Sequence, residues 1–348
     1  MSVPKQLTFL AGLRAFIAFS LAIVFCPGSH AAEMRLLVRA NDYRSLVIEG
    51  EIESGDYEHF LKTVKDNQGK LADVYLLSPG GDFVEAIKIG RALRALEMAS
   101  VVPGRNSAGQ PVCFNDSLGD FPRNPANCTA ASAAFFIHVG AVERTGLYLV
   151  VHRPYFAPEQ FAKLTESQAQ AAFDALQRDA RAYMTEMGVP PQVQEEVMGT
   201  SPDKGVVLDD KTVRNYFVGE IPYQQEWRHA KCAQLSPVET QRLDVLKDKI
   251  ETLTSAEWSE YTPMNKKRDL ELACQGAVRV QSRMAAYERF SALLPAMLQI
   301  TTLANGLIYP NTLDALSRMF QVKNDSRLAI LSEVLLRWIA RPLQPRPK

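Results

Sequence analysis

Ser132 stands in the stretch "NCTAASAAFFIHVGAVER", residues 127 to 144, with Ala130 and Ala131 before it and Ala133 and Ala134 after it, at the head of an apolar run. A hydroxyl at the start of a helix lies where the helix dipole and the free N–H groups favour developing negative charge. That makes Ser132 a candidate nucleophile, although the same run of small residues also suits a tight contact between two elements. A second segment, "LLSPGGDFVEAIKIGRALR", carries Gly80 and Gly81 at the turn between an apolar strand and a helix. Glycine lets a backbone N–H approach a substrate carbonyl with no Cβ in the way, as an oxyanion hole requires. A third segment, "VVHRP", puts His152 at the end of a strand, where histidines are more often structural than catalytic.

The elements that would position these residues can be read from hydrophobic period and caps. "MRLLVR" and "SLVIEGEI" are strand-like, "GDYEHFLKTVKDNQG" reads as a helix closed by Gly69, and "ADVYLLS" is a buried strand. After the Gly-Gly turn, Val84, Ile87, Leu93 and Leu96 recur near the helical period, and "ASVV" follows as another strand. Strands alternating with helices imply parallel pairing through crossovers, hence an α/β layer structure. Residues 103 to 127 interrupt this rhythm with a Pro-, Gly- and Asn-rich insertion long enough to cover a site or shape its specificity. Beyond it come an apolar helix, the strand "LYLVVH", a helical stretch from about 158 to 187, a short helix near 191 to 199, and "SPDKGVVLDDKTV". From about residue 230 the pattern is all helical. Ser236, Pro237 and Glu239 form an N-cap, N1 proline and capping box, and Leu243, Leu246, Ile250 and Leu253 make one apolar stripe.

The two ends and the charge bound the location and the partners. Lys5 and Arg14 precede the apolar run Ala15 to Cys26, which Pro27 and Gly28 break, and Ser29 and Ala31 supply small residues for cleavage before Ala32. This is a signal-peptide layout over residues 1–31, too short an apolar run to span a bilayer, and it implies a periplasmic or secreted protein. An uncleaved segment joined across Arg14 would instead anchor the chain in the inner membrane. Removing 1–31 takes away two basic residues and no acid, leaving 37 Lys and Arg against 39 Asp and Glu. With no basic field, nucleic acid is not expected as a partner. Four cysteines remain, as two local pairs, Cys113 with Cys128 and Cys232 with Cys274. In an oxidising compartment these suggest two disulfides; zinc is the alternative, but no C-x-x-C and no histidine at metal-ligand spacing accompanies them.

In combination, "SPGG" followed by "EAIKIGRALR", the "AAS" box, Arg144 twelve residues after Ser132, and "HRP" resemble, in order, the ClpP/crotonase superfamily. Within it they resemble the small ClpP-like serine peptidases that bacteria export. The resemblance covers about residues 36 to 220. It implies a ClpP/crotonase-like spiral fold of ββα units over 32–225, to which the sequence pattern itself appends an all-helical C-terminal region over 230–340 and a flexible tail over 341–348. It also implies Ser132 as nucleophile, His152 as its base, Asp203 as the acid that orients the histidine, and Gly81 and Ala133 as oxyanion-hole donors. Asp209 and Asp210 lie close enough to be alternatives to Asp203. The family glycine that falls nine residues after the serine is Ala141 here, with Gly140 one position early. Anchoring on Gly140 would put Ala131 at the nucleophile position; anchoring on Arg144 selects Ser132. The substrate would be a peptide or protein, with no cofactor or metal, and relatives' assemblies make a homo-oligomer an expectation. The "GxSxG" elbow of α/β-hydrolases is absent. The alternatives are a catalytically inactive ClpP-like scaffold or peptide-binding protein acting through its helical region and, lowest, a crotonase-like acyl-CoA enzyme.

Overall fold

The computed structural model describes residues 31–39, 43–113, 115–116, 119–120 and 122–298. The expected leader up to residue 30, the helical stretch beyond 298 and the tail 341–348 lie outside the described residues.

A mixed six-stranded sheet forms the frame, in the order β1 (Glu33–Val38), β2 (Arg44–Glu49), β3 (Leu71–Leu77), β4 (Ala99–Val101), β9 (Glu143–Thr145) and β12 (Gly219–Glu220). The four middle strands run parallel, with Leu46 opposite Val74, Val74 opposite Ser100, and Ser100 opposite Arg144. The outer strands β1 and β12 pair antiparallel. In β2 every residue after Arg44 is buried, as a strand covered on both faces must be. The crossovers are α1 (Asp56–Asp66) between β2 and β3, α2 (Phe83–Ala95) between β3 and β4, and α3 (Ala133–Gly140) before β9. Leu46, Ile48, Val74 and Leu76 meet these helices in the main core.

The opposite face of the sheet has its own small cluster, in which Val47 and Leu77 pack with Leu37, Tyr75 and Cys113. Cys113 belongs to the insertion, which carries two hairpins, β5 (Gly104–Arg105) with β6 (Pro111–Val112) and β7 (Asn115–Asp116) with β8 (Gly119–Asp120). Two clamps hold it. One is the Cys113–Cys128 disulfide. The other is Glu49, whose carboxylate accepts from the Arg123 and Asn124 amides at 3.1 and 2.9 Å and from Arg35 at 2.6 Å. Burial pushes the Glu49 carboxyl up, but the Asn124 amide, the Arg35 guanidinium and the Arg123 amide outweigh it and hold the group below the usual carboxylate range.

The second half of the chain comprises β10 (Val150–Val151), α4 (Pro158–Phe161), α5 (Glu166–Glu186), α6 (Pro191–Gly199), β11 (Val206–Val207), α7 (Asp210–Tyr216), α8 (Pro222–Lys231), α9 (Pro237–Asp248) and α10 (Ser255–Ser291). The helical stretch expected over 158–187 is two helices. Thr165 starts the second with a capping box closed by Gln168, which ends continuity from α4. The Ser236–Glu239 capping box opens α9, but α9 stops at Asp248, so Leu243 and Leu246 are buried while Ile250 is exposed. The Cys232–Cys274 disulfide ties the end of α8 to the middle of α10. Phe290, Leu294 and Met297, at the end of α10 and just beyond it, enter the main core together with residues of α1 and α2. Among the described residues no helix is long and apolar enough to cross a membrane.

Candidate active site

Gly80 and Gly81 follow β3 in a conformation that only glycine holds without strain. Their φ values are 113° and 130°. A Cβ on Gly80 would stand 2.5 Å from the Ser132 Cβ, and one on Gly81 would stand 2.1 Å from the Ile52 carbonyl oxygen. The turn is held from one side by Ile52, whose N–H donates to Gly80 O and whose carbonyl accepts from Asp82, both at 2.7 Å. Because those two groups point toward Ile52, the N–H of Gly81 between them points the other way, and it donates to no acceptor among the described residues. Ser78 Oγ adds an internal brace by accepting the Gly80 N–H at 3.1 Å. The Ser-x-Gly order in "SPGG" is the sequence signal for that hydroxyl turn.

The chain reaches Ser132 along a short ladder. The Ser78 and Ala131 amides bond to Thr129 O and Ser78 O at 2.8 and 3.0 Å, and the Ser132 N–H donates to Val150 O at 2.9 Å. Ser132 is then the N-cap of α3 with φ 53° and ψ −117°, and its side chain makes no capping bond. Left-handed φ at a non-glycine residue costs about 1–3 kcal/mol and persists only where the surroundings impose it. Of the first three N–H groups of α3, Ala134 and Phe135 bond back to Ala131 O and Ser132 O, and Ala133 is left without an acceptor. Ser132, Ala133 and Gly81 all line one cavity of about 570 Å³. Ala131 does not line it; it is bridged to Val150 instead.

The helix behind the serine is fixed at its far end. Gly140 lies against Gly90 so closely that a Cβ on Gly140 would stand 2.3 Å from the Gly90 oxygen. Two guanidinium groups, half-buried Arg94 and buried Arg144, cap the carbonyl end of α3, with Arg94 Nε on Gly140 O at 2.8 Å and Arg144 Nη2 on Val139 O at 2.7 Å. Burial, with Arg94 alongside, pushes the Arg144 guanidinium down to about 9. Arg144 therefore acts by holding α3, at the opposite end from the serine. His138 in the same helix is fully buried between Ser100 Oγ and Phe217 O, and burial together with Arg144 pushes its imidazole down to about 3. It is a structural histidine.

His152 and Asp203 sit on the neighbouring β10/β11 pair. The antiparallel register matches Val150 with Val207 and Val151 with Val206, and the Arg153 N–H donates to Thr200 O at 3.0 Å. His152 and the turn holding Asp203 are therefore adjacent strand ends. No hydrogen bond joins Ser132 to His152, or His152 to Asp203, among the described residues. His152 Nδ1 lies 2.9 Å from the Arg153 carbonyl oxygen, an acceptor, so Nδ1 carries the proton and Nε2 is left as the basic nitrogen. Asp203 is exposed and accepts from the Ser201 hydroxyl, which with backbone donors holds its carboxyl below the usual range. Asp209 caps α7 through the Thr212 N–H at 2.9 Å, and Asp210 pairs with Arg105 at 2.6 Å.

The cavity walls come from residues 51–54, 81–84 and 154–158, with Phe136 and Leu176 closing the apolar side. The wall at Tyr155 and Phe156 was not foreseen; its only sequence signal is the aromatic pair directly after "HRP". No described residue of the insertion lines the cavity. The hydrophobic surface left on the far face of β2 and β3 drew Cys113 there instead.

The fold and site together are those of an α/β protein with a serine at a strained helix start, beside a Gly-Gly turn and two acceptor-free amides. Among solved structures the chain is similar to a ClpP1 mutant from Listeria monocytogenes, at 17% identity and a TM-score of 0.33 over 50% of this chain and 88% of that one. It is also similar to a mutant membrane-bound stomatin-specific protease, at 16% identity and a TM-score of 0.31 over 55% of this chain and 84% of that one. No protein-family model and no curated protein sequence matches the chain. The functional reading rests on the geometry above.

Proposed function

We propose that this chain is an exported ClpP-like serine peptidase with the spiral ββα fold of that superfamily. In this reading it cleaves peptide bonds through an acyl-enzyme, with Ser132, His152 and Asp203 as the catalytic set. The observation that carries the reading is Ser132 at φ 53°, lining a cavity between the acceptor-free amides of Gly81 and Ala133. His152 Nε2 takes the proton of Ser132 Oγ as that oxygen attacks the scissile carbonyl, and the oxyanion forms against the two amides. Collapse expels the amine, which His152 protonates, and a water molecule then repeats the sequence to release the acyl group. The Arg153 carbonyl holds the imidazole tautomer at rest, and Asp203 supplies the negative charge that stabilises the imidazolium. The two disulfides favour an oxidising compartment, and hence the periplasm or the exterior. Self-association of copies is part of the reading, and sedimentation of the purified chain measures it.

A fluorophosphonate probe tests the site. Labelling at Ser132 that disappears in Ser132→Ala, together with peptide hydrolysis that disappears with it, is the expected result. The missing Ser132–His152 hydrogen bond favours a second reading, an inactive scaffold that binds peptides in the same cavity. Wild-type protein that neither labels nor hydrolyses any peptide, yet binds a fluorescent peptide, would establish that one instead.

A further inference from the structure

Ala32 directly precedes β1, yet it is only 3% exposed and belongs to the main core, while Ala31 before it is exposed. Its backbone nitrogen donates to Asp56 Oδ2 at 3.2 Å. Asp56 is 1% exposed and stands at the start of α1, and the same oxygen accepts the Glu53 N–H at 2.8 Å. No side-chain cation pairs with Asp56 among the described residues. Its buried neighbour Glu85 accepts from the Gly55 and Tyr57 amides and takes Lys88 at 2.8 Å as its ion-pair partner. Lys88 thus serves Glu85 and not Asp56. Burial pushes the Asp56 carboxyl up, against the two amides; Glu85 pushes it further up, and His59 acts the other way. A buried carboxylate of this kind is stabilised by a cation at hydrogen-bond distance.

We propose that the bond between Ala31 and Ala32 is the maturation site, and that the α-ammonium it frees at Ala32 is the cation that pairs with Asp56. Hydrolysis by a leader peptidase that reads the small residues Ser29 and Ala31 adds one water across the amide. The C–N bond breaks, oxygen stays with Ala31 as a carboxylate, and the nitrogen leaves on Ala32 as an amine that takes up a proton. The nitrogen already occupies the position the ammonium needs. Asp56 Oδ2 then ties the new terminus and Glu53 together, and Glu53 belongs to the 51–54 wall of the cavity. Processing in this way fastens one wall of the proposed active site to the end of the chain. The inference rests on the export part of the proposed function and is independent of peptidase activity.

The test is native reductive methylation at neutral pH of three proteins: the chain exported with its own leader, a version with one glycine added before Ala32, and Asp56→Asn. An opposite charge at this distance raises an amine by one unit or more, and each unit lowers the reactive unprotonated fraction about tenfold. The exported chain should begin at Ala32 by mass. Its α-amine should be methylated at least about tenfold more slowly than the terminus of the glycine-extended chain, and Asp56→Asn should abolish that protection. An exported chain that begins elsewhere, or an Ala32 amine as reactive as that of the extended chain, overturns the inference. The glycine-extended protein keeps the comparison valid if Asp56→Asn does not fold. A protected Ala32 amine in a chain that never takes the fluorophosphonate supports this inference and sinks the peptidase reading alone.

Discussion

Replacing Ser132 by glycine should make the protein more stable while destroying its activity. The backbone at Ser132 has φ 53° and ψ −117°, which glycine adopts freely and a residue with a Cβ does not. Relief of about 1–3 kcal/mol of strain is opposed by the greater entropy of glycine in the unfolded chain, about 0.5–1 kcal/mol, leaving a net gain of about 1 kcal/mol. The comparison belongs between Ser132→Gly and Ser132→Ala, because both lack the hydroxyl and differ at the Cβ and in backbone freedom. Urea unfolding at neutral pH, with equal m-values, reads the difference as a shift in midpoint. Both variants should be inactive. A Ser132→Gly protein that is less stable than Ser132→Ala would mean that the turn stores no strain and that nothing around Ser132 imposes its backbone geometry.

His152→Ala should remove hydrolysis as completely as Ser132→Ala, and the double variant should be no worse, whereas Asp203→Asn should retain measurable turnover because the Arg153 carbonyl still fixes the tautomer; kcat/KM on one peptide compares them. Gly140→Ala should cost about 3 kcal/mol, because its Cβ meets the Gly90 backbone and α2 and α3 must separate; thermal unfolding measures it. Lowering the pH should destabilise the fold through His138. The unfolded imidazole takes a proton below about 6.5 while the folded one waits until about 3, so stability falls from pH 6.5 downward by about 1.4 kcal/mol per unit, or about 2 kcal/mol at pH 5. An NMR titration placing His138 near its ordinary value would refute that. Reducing Cys232–Cys274, which are 42 residues apart, should cost about 4 kcal/mol by loop entropy, seen as a lower denaturant midpoint.

The sequence pattern showed well those features that have a side-chain signature. Alternating strand and helix periods announced the parallel sheet, and four cysteines in two local pairs announced both disulfides. Ser236 with Glu239 marked the start of α9 to the residue. The Thr165–Gln168 capping box that splits the 158–187 stretch was equally visible, but the apolar period running through it masked the break. What stayed hidden is chemistry done by the main chain. No residue type signals that the Arg153 carbonyl would meet His152, or that Arg94 and Arg144 would spend their charge on the carbonyls of α3 and not on carboxylates. Long-range burial was equally hidden. The apolar residues from Phe290 to Met297 read as part of a separate helical region, yet they complete the core of the sheet domain, because only the folded topology places α10 across it.

The amides of Gly81 and Ala133, which line the same cavity as Ser132 and have no acceptor among the described residues, belong to the peptide backbone. Many replacements erase the hydroxyl or the imidazole in a single step, whereas only proline would erase one of these amides. In the proposed peptidase, a chain that lost Ser132 would therefore keep a cleft with two free amides, able to hold a carbonyl oxygen without cutting beside it. On that proposal, the groups that would hold a substrate belong to the main chain and those that would cut it to side chains, so the first set tolerates more substitutions than the second.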